Sequence, residues 1–420
     1  MLKMEGHPQV IERLRATFRS NITVPLHFRR TQLEALLSLV EDNEAQILEA
    51  LHKDLTKPKF EAVLSEIDMV ANELRYTICN LESWLQPTYV DKNLATKLDD
   101  CFIRREPLGV VLIIGAWNYP FQLVLAPLIA AIAAGSQAVA RSILQAAAVH
   151  LTPVTLELGG KCPCLLYGRL DVKAAAKRLV WAKFFNAGQS CVAPDYVLCT
   201  AEMQEKLIPM IVEALEGFYG KQIEESPDYG RIVGDKHWNR LTDLLNKSQG
   251  KVVIGGESVK EDKYIAPTVL VDVTESDALM QEEIFGPILP ILTFKSLEQG
   301  IRFINEKEKP LALYVFSDQS QVVNTVLEQT TSGGFCSNDG IVHMTLPGLP
   351  FGGVGASGMG SYHGRWGFET FSHRRACMLR GWGLERIGAL RYPPYQESNL
   401  GWLRWATQAK KKGWGGCGVM

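Results

Sequence analysis

The residue with the clearest capacity for chemistry is a cysteine on a short predicted loop. Cys191 lies in the run FFNAGQSCVAP, residues 184–194. The residues before it, Val172–Phe185, have the pattern of a helix, and Tyr196–Cys199 has that of a strand. A loop cysteine among backbone N–H groups, beside Gly188 that lets the chain approach a ligand closely, is placed to act as a thiolate nucleophile. The alternative is a small buried core residue, as free cysteine usually is.

Two further polar side chains are predicted near the ends of apolar strands. Val110–Ile114 is a continuous apolar run, typical of a strand buried on both faces, and a turn with Asn118 follows before a helix over Pro120–Ala134. Val154–Leu158 is a second predicted strand, with Glu157 at its end. Asn118 could donate its amide to an oxyanion or merely satisfy the turn. Glu157 could serve as a base if its pKa is raised, or stay a solvated strand-end residue.

The remaining candidates are a glutamate pair and a glycine-rich segment. Glu282 and Glu283 precede Phe285, and Gly286-Pro287 then turns the chain into a predicted strand. An exposed glutamate pair is usually just solvated. The run LPFGGVGASGMGSYHG (349–364) could fold closely over a ligand, although glycine-rich linkers are common and this pattern is not a phosphate loop.

Composition and patterning bound the class of protein. The 420 residues suffice for two or three domains, and 44 basic against 46 acidic residues predict no nucleic-acid partner. Nine cysteines without regular CxxC pairs predict no metal site, and with no signal peptide they favour reduced thiols in a cytosolic compartment. The longest apolar run, Val110–Trp117, is too short to cross a bilayer. Alternating β and α patterns favour an α/β fold with parallel sheets.

The first 85 residues are predicted to be helical. Their clearest pattern is one apolar stripe with spacings of three and four, which we assign to the core: Val63, Ile67, Val70, Leu74, Ile78, Leu81 and Trp84.

Five motifs, in order, resemble those of the aldehyde dehydrogenase superfamily, family 3 type. They are PLGVVLIIGAWNYP (107–120), LELGGK (156–161), FFNAGQSCVAP (184–194), EEIFGP (282–287) and PFGGVGASGMG (350–360), and the resemblance covers about residues 8–380. It implies an α/β, aldehyde-dehydrogenase-like fold with four parts. These are an incomplete Rossmann-type cofactor domain (1–86 and 107–157), a β oligomerisation arm (87–106 and 361–380), an α/β catalytic domain (158–360) and a C-terminal tail (381–420).

The resemblance also implies a role for each candidate residue. Cys191 would attack an aldehyde carbonyl, with the oxyanion held between the Asn118 amide and the Cys191 N–H. A hydride would pass to NAD or NADP, and Glu157 would activate the water that hydrolyses the resulting thioester. Glu283 would hold the nicotinamide ribose, with Phe285 beside the ring. Gly352–Gly360 would lie near the substrate entrance. The expected activity is oxidation of medium- and long-chain, lipid-derived aldehydes by a homodimer.

The chain departs from the family pattern after Gly135. Members continue with a strand of KPSE-like sequence, a helix, a further strand and a TGS-type turn. Here Gly135-Ser136 joins directly onto the end of that turn, so about fifty residues, close to two βα units, are absent. Gly135 and Ser136 would remain as cofactor-binding residues on the pyrophosphate side, with Ala140 where a second glycine is expected. We therefore expect weak or lost NAD(P) binding and a fold destabilised by uncovered apolar faces.

The C-terminus has the features of a lipid anchor. Cys417-Gly418-Val419-Met420 fits the C-a-a-X prenylation pattern, with methionine favouring farnesyl. Lys410–Lys412 supply the electrostatic signal that one lipid chain needs, and Trp402, Trp405 and Trp414 favour a membrane interface. The alternative is a disordered basic tail. Prenylated members of the B branch of family 3 agree with the anchor, which would place the protein on the cytoplasmic face of the plasma membrane, endomembranes or lipid droplets.

Three functions therefore stay open. The first is a lipid-anchored NAD(P)-dependent aldehyde dehydrogenase. The second is a catalytically impaired chain that acts as a membrane-bound dimer partner. The third is a cofactor-free hydrolase of esters or thioesters that uses Cys191 and Glu157, since acylation and water attack need no hydride acceptor.

Overall fold

The computed structural model describes residues 7–138, 152–383 and 385–408. The helices, in chain order, are α1 (His7–Arg19), α2 (Leu26–Asp42), α3 (Glu44–Leu55), α4 (Lys59–Ala62), α5 (Asp68–Leu85), α6 (Gln122–Ala134), α7 (Val172–Phe184), α8 (Ala201–Tyr219), α9 (Asp235–Lys247), α10 (Ala278–Gln281), α11 (Leu297–Asn305), α12 (Ser320–Gln329), α13 (Gly364–Thr370), α14 (Glu385–Gly388) and α15 (Glu397–Thr407). A π-helical turn over Val63–Ile67 joins α4 to α5. Among these residues no helix combines the length and apolar character that crossing a membrane requires.

The strands are mostly short. In chain order they are β1 (Thr88–Tyr89), β2 (Asp100–Pro107), β3 (Val110–Val111), β4 (Gln137–Ala138), β5 (Leu156–Glu157), β6 (Pro163–Leu166), β7 (Tyr196–Cys199), β8 (Lys251–Ile254), β9 (Ser258–Val259), β10 (Tyr264–Ile265), β11 (Thr268–Val271), β12 (Ile288–Thr293), β13 (Ala312–Phe316), β14 (Gly334–Ser337), β15 (Gly358–Met359) and β16 (Ser372–Leu379). The α/β class expected from the alternating pattern is confirmed.

Seven of these strands form the main sheet, in the order β14-β13-β6-β7-β12-β11-β8. Neighbouring strands run parallel except β8, which is antiparallel to β11. The central strands β6, β7 and β13 are buried along their whole length, because helices cover both faces of a parallel sheet. The predicted helix before the cysteine loop and the strand after it are confirmed as α7 and β7.

The helices near the N-terminus build a second core with α6 and α13. Its members are buried residues from α2, α5, α6, α13 and the π turn, among them Leu33, Ile67, Val70, Leu74, Leu81, Trp84, Ile129 and Phe368. The apolar stripe expected over residues 63–84 is therefore a core stripe, although Val63 and Ile78 are only partly buried. The π turn interrupts the helix at the start of this stripe, a feature that the spacing did not predict.

Val110–Ile114, which was expected to form a strand buried on both faces, does not do so in the structure. Regular pairing is limited to β3, whose Val110 and Val111 run parallel to β4. The side chains of Leu112 and Ile114 are 40% and 46% exposed. The prediction of a fully buried strand over Val110–Ile114 is therefore wrong. Burial on both faces needs further strands and crossover helices beside it, and the segment that would supply them is the one missing from this sequence.

Residues 87–106 and 361–380 contribute to one antiparallel sheet. Its order is β1-β2-β16, and β16 pairs with β2 along eight residues, from Ser372 opposite Pro107 to Leu379 opposite Asp100. Within this single chain, β16 is an edge strand whose Met378 and Leu379 side chains are more than half exposed. An open, partly apolar edge of this kind can pair with another chain.

Leucine-to-alanine substitutions would test the contrast between the two sheets. Leu112→Ala should lower the free energy of unfolding by less than about 1 kcal/mol, because a surface side chain loses little on truncation. Leu165→Ala in β6, where the leucine is fully buried, should cost about 2–5 kcal/mol because a cavity is left in the main core. Urea unfolding of the two variants and the parent measures both. Equal losses would show that Leu112 is buried in solution.

Candidate active site

The loop that carries Cys191 has a strained backbone held in place by packing. After α7 the chain makes a short 3-10 turn over Phe185–Gly188, in which Asn186 and Ala187 have φ angles of 53° and 52°. Gly188 also has a positive φ, of 73°, and a Cβ there would overlap the Gly286 carbonyl. Glycine at this position thus permits close contact with the chain around Gly286, rather than with a ligand as the sequence suggested. Strain of this kind often accompanies functional sites.

The Cys191 thiol is close enough to two carboxyl groups for both to affect its pKa. Burial raises its pKa to about 12, with contributions from Glu157 and then Glu283, while its own N–H and that of Val192 act in the opposite direction. The surrounding N–H groups are therefore outweighed, and the thiol is protonated at neutral pH in this arrangement. The residue as a whole is partly buried and packs against the main core. A base must take the proton before the sulfur can react.

Asn118 is brought to the cysteine loop by hydrogen bonds. The side chain is buried, and its Nδ2 donates to the Gln189 carbonyl at 3.2 Å. Its own backbone carbonyl accepts from the Asn186 amide at 3.0 Å and from Lys57 Nζ at 3.3 Å. An amide NH₂ has two hydrogens, so one N–H is left for an oxyanion beside Cys191. Asn118 therefore does more than satisfy its own turn.

Glu157 stands in a two-stranded antiparallel sheet rather than in the five-residue strand expected over Val154–Leu158. β5 contains only Leu156 and Glu157, paired antiparallel with β15. Both carboxylate oxygens are buried. Burial raises the pKa of Glu157 to about 8, while the Gly353 N–H acts in the opposite direction. The reading of Glu157 as a solvated glutamate is wrong, and a desolvated carboxyl with a pKa near working pH is suited to proton transfer.

The glycine-rich segment supplies β15, the strand that pairs with β5. Gly358 in β15 lies opposite Glu157, and a Cβ at Gly358 would overlap the Leu156 carbonyl. Similar overlaps with backbone atoms would follow at Gly352 and Gly353. The segment folds closely on the chain itself, and in doing so it holds Glu157 in place.

Glu283 lies against the two glycines of the LELGGK motif. A Cβ at Gly159 would come within 2.8 Å of Glu283 Oε2. Burial raises the pKa of the Glu283 carboxyl to about 8, helped by Asp195 and opposed by the Gly160 N–H. Glu282, in contrast, is exposed and paired with Arg240 at 2.9 Å. The exposed-pair interpretation therefore applies to Glu282 alone.

Phe285 is part of an aromatic group that the sequence did not indicate. Its ring meets the edge of Trp117 at a centroid distance of 5.5 Å, and Trp117 in turn lies 4.9 Å from the His237 ring. Phe285 has a φ of 52°, a conformation that places it out of a regular strand. Trp117 belongs to the same motif as Asn118, so a signal for it was present.

Gly135 and Ser136, which the resemblance assigns to the cofactor, make hydrogen bonds to the N-terminal region and to Gly109. Gly135 ends α6 with a φ of 90°, its carbonyl accepts from Thr23 Oγ1 at 2.9 Å, and the Arg29 guanidinium packs beside it. Ser136 Oγ accepts from the Gly109 N–H at 3.3 Å. Both residues are at the amino end of β4, whereas ligands of parallel sheets collect at the carboxyl ends. Their hydrogen bonds are structural.

Several polar residues that connect these parts were missed. Lys161 is paired with Asp195, and its Nζ also donates to the Leu279 and Glu282 carbonyls at 2.7 and 2.9 Å. Asp195 in turn accepts from the Ile284 N–H at 3.0 Å. Lys161 ends one motif and Asp195 follows another, so position beside motifs was the available signal. Among the described residues, no group of three or more histidine, cysteine or acidic side chains could hold a metal ion.

The described residues fit one end of a dinucleotide better than the other. The half-buried Glu283 carboxylate beside Gly159 could accept hydrogen bonds from ribose hydroxyls, and Phe285 offers an aromatic face nearby. On the side expected to bind the adenosine half, β3 and β4 form a sheet of only two strands within the described part of the chain.

Comparison with known proteins identifies the family. A family model described as "Aldehyde dehydrogenase family" matches residues 5–139 and 133–377. The chain is 48% identical to aldehyde dehydrogenase family 3 member B1 of Bos taurus, with 97% of this chain and 98% of the relative covered. It is 42% identical to aldehyde dehydrogenase family 3 member A2 of Rattus norvegicus, covering 94% and 93%. A solved structure of Staphylococcus aureus AldH in a substrate-bound state matches with a TM-score of 0.91 at 38% identity, covering 96% of this chain and 99% of that one.

The same comparisons bear on the missing segment. The alignment with the bovine relative runs over 463 positions, whereas this chain has 420 residues. At least 43 alignment positions therefore have no counterpart in this chain. The two matches to the family model meet at residues 133–139. Both findings agree with a gap after Gly135.

Alanine at Gly188 would test how strictly the cysteine loop is held. Gly188→Ala should lower the free energy of unfolding by about 1–3 kcal/mol, because a left-handed backbone and the overlap with Gly286 both penalise a Cβ. Gly217→Ala is the matched control. Gly217 is helical, and a methyl group added there would have nothing within 4 Å of it, so this change should stabilise by about 0.5–1 kcal/mol. Thermal and urea unfolding measure both, and a neutral Gly188→Ala would mean that the loop is not constrained.

Proposed function

The chain belongs to the aldehyde dehydrogenase family, and we propose that it oxidises medium- and long-chain, lipid-derived aldehydes to carboxylic acids with NAD or NADP. The observation that carries this proposal is the convergence of three groups. The thiol of a partly buried cysteine, a buried asparagine amide tied to the cysteine loop, and a desolvated carboxyl lie together although they come from separate segments. Thiol, amide and carboxyl are the groups that acyl transfer through a covalent intermediate requires.

In the first step the Cys191 sulfur adds to the aldehyde carbon. A carbon–sulfur bond forms, the carbonyl electron pair moves to oxygen, and the thiol proton goes to Glu157, whose charge already influences the pKa of the thiol. The Asn118 amide and the Cys191 N–H stabilise the oxyanion. The chemistry that NAD(P) supplies when bound is acceptance of a hydride from the carbon attached to sulfur. Glu283 would hold its nicotinamide ribose, with Phe285 beside it.

In the last step water hydrolyses the thioester on Cys191. Glu157 first passes the thiol proton to solvent and so becomes a carboxylate again. It then takes a proton from the water while the oxygen attacks the thioester carbon, and the carbon–sulfur bond breaks to release the acid. The proton held by Glu157 returns to the sulfur of Cys191. With a pKa of about 8, Glu157 is a competent base whose ionised fraction rises through the slightly alkaline range. The same groups would hydrolyse an activated ester without any cofactor, which keeps the hydrolase function as a second candidate.

A third candidate follows from the cofactor side. The two-stranded β3–β4 sheet and the exposed Leu112 and Ile114 support weak or lost NAD(P) binding in this chain. A chain with an intact catalytic domain and a failing cofactor domain would still present the β2–β16 arm. The open edge of β16 could pair with a second copy of the chain. This edge supports homodimerisation, in which such a chain would serve as a dimer partner.

We also propose that the protein is a prenylated, peripheral membrane protein. Cys417 and Lys410–Lys412 lie outside the described residues, so the support is the sequence pattern together with helix α15. Trp402 and Trp405 on that helix are 66% and 59% exposed, with ring centroids 5.9 Å apart. Indole side chains in such a position favour a membrane interface, on the cytoplasmic face of the plasma membrane, endomembranes or lipid droplets.

The test of the main proposal is aldehyde-dependent NAD(P) reduction by the purified chain, followed at the NADH absorbance band. Cys191→Ala should abolish it. Cofactor-free ester turnover should also depend on Cys191, and its deacylation rate should rise with pH and level off above about 8, because only ionised Glu157 acts as a base. Glu157→Gln should remove this pH dependence and leave acyl-enzyme that mass spectrometry detects.

The same assays separate the three candidates. Ester turnover without NAD(P) reduction indicates the hydrolase. Failure of both reactions in a folded dimer indicates the dimer partner. Calorimetric titration with NAD and NADP tests the cofactor domain directly, and micromolar affinity would contradict the expectation of weak binding.

The lipid anchor is tested by cell fractionation of Cys417→Ser. Removing the prenylated thiol should move the protein from membranes to the cytosol, because a basic segment alone binds membranes weakly. Cys79→Ser is a matched control, since Cys79 is an exposed thiol on α5 far from the C-terminus in sequence. Unchanged membrane partition of Cys417→Ser would contradict the proposal.

A further inference from the structure

We propose that two buried glutamates, Glu61 and Glu66, are positioning residues that hold the oxyanion-binding side chain in register with the cysteine loop. Together with Lys57 they form what we call the carboxylate clamp. The clamp lies around the π turn, in the N-terminal helices, more than 100 residues before Cys191. The inference rests on the proposed function, because it concerns the oxyanion donors of that reaction.

Glu61 holds the cysteine loop. Its side chain is buried, and Oε2 accepts from the Asn186 N–H at 2.8 Å. Asn186 is the residue with a φ of 53° in the strained turn before Cys191. A buried N–H in an irregular turn has no partner in a helix or strand ladder and is costly to leave unpaired. Glu61 supplies that partner and so stabilises the strained conformation.

Glu66 holds the segment that follows Asn118. Its Oε1 pairs with Lys57 Nζ at 2.7 Å, with both side chains fully buried. Its Oε2 accepts from the N–H groups of Phe121 and Gln122 at 3.1 and 2.9 Å. N–H groups at the start of a helix such as α6 have no partner within the helix. The carboxylate therefore fixes the point where the chain leaves the Asn118 turn.

Lys57 extends the clamp to Asn118 itself. Its Nζ donates to the Asn118 carbonyl at 3.3 Å and lies 4.2 Å from the centre of the Tyr119 ring. The Asn186 amide donates to the same carbonyl at 3.0 Å. The Asn118 backbone is thus held by two donors, one bound to Glu66 and the other on a residue bound to Glu61.

The π turn explains how one segment contacts both the cysteine loop and the start of α6. In an α-helix, residues five apart point about 140° from each other around the axis. The i→i+5 hydrogen bonds of a π turn bring such residues closer to one face. Glu61 and Glu66 are five apart; Glu66 lies within the turn over Val63–Ile67, and Glu61 lies two residues before it. Insertions of this type are frequent at functional sites.

The experiment compares two reactions of Cys191 that differ in their need for an oxyanion donor. Acylation by a p-nitrophenyl ester passes through a tetrahedral oxyanion, releases p-nitrophenolate and is followed by its absorbance. Alkylation by iodoacetamide displaces iodide directly and has no oxyanion; it is followed at Cys191 by peptide mass spectrometry. Asn118→Ala sets the scale and should slow acylation by about 10²–10³-fold, as expected for loss of one donor.

Glu61→Ala should slow acylation about tenfold and leave alkylation within about twofold, because misplacing a donor harms only the reaction that uses it. Glu61→Gln keeps an oxygen acceptor for the Asn186 N–H and should restore most of the rate. Glu73→Ala is the matched control. Glu73 is also a buried glutamate that accepts one backbone N–H, but from Gly364, at 2.5 Å. The Glu73→Ala substitution should leave the ratio of the acylation rate to the alkylation rate unchanged.

Amide hydrogen exchange of the peptide that contains Asn186 gives a readout without turnover. Glu61→Ala should speed exchange there, and Glu73→Ala should not. The inference is overturned if Glu61→Ala leaves acylation unchanged, if it slows both reactions equally, or if Glu73→Ala changes the ratio of rates as much. Absence of acylation in the parent protein counts against the proposed function. In that case the exchange rates decide the inference, and equal rates in the parent and Glu61→Ala would overturn it.

Discussion

The site depends on one side chain that joins two segments of the chain. The Asn186 amide donates both to the Asn118 carbonyl at 3.0 Å and to the Gln189 carbonyl at 3.2 Å. The Asn118 amide returns a hydrogen bond to that same Gln189 carbonyl. These contacts keep the turn after β3 beside the loop that carries Cys191. Because the loop backbone is in a disfavoured region, it persists only where such bonds and the surrounding packing compensate for its strain.

Burial sets the protonation of the groups gathered there. It raises the pKa of the Glu157 and Glu283 carboxyls to about 8 and that of the Cys191 thiol to about 12. The two carboxyls, which would be charged in water, are therefore mostly neutral near pH 7, as is the thiol, and each carboxyl that ionises further disfavours the thiolate. A carboxyl with a pKa near 8 can both accept and release a proton close to neutral pH, which suits a reaction in which the thiol loses a proton and water loses another.

The catalytic and cofactor sides of the molecule are unequal. The main core surrounds the seven-stranded sheet, where strands such as β6 and β7 are wholly buried. On the other side β3 and β4 pair over two residues each, and Leu112 and Ile114 are exposed. A gap in one region can leave another intact because each has its own core, and the strand order of the main sheet does not include β3 or β4.

The sequence by itself determined the elements whose signals are local. The α/β class, helix α7, strand β7 and the loop position of Cys191 all follow from periodicity and turn residues within a few positions. The motifs indicated the family and the missing segment. Only the tertiary structure decided which groups meet. The Glu61–Asn186 bond joins residues 125 positions apart, and the residues of the expected strand at Val110 are partly exposed because few strands lie beside them. Contacts, burial and pKa depend on packing between distant segments, and a local pattern does not contain that information.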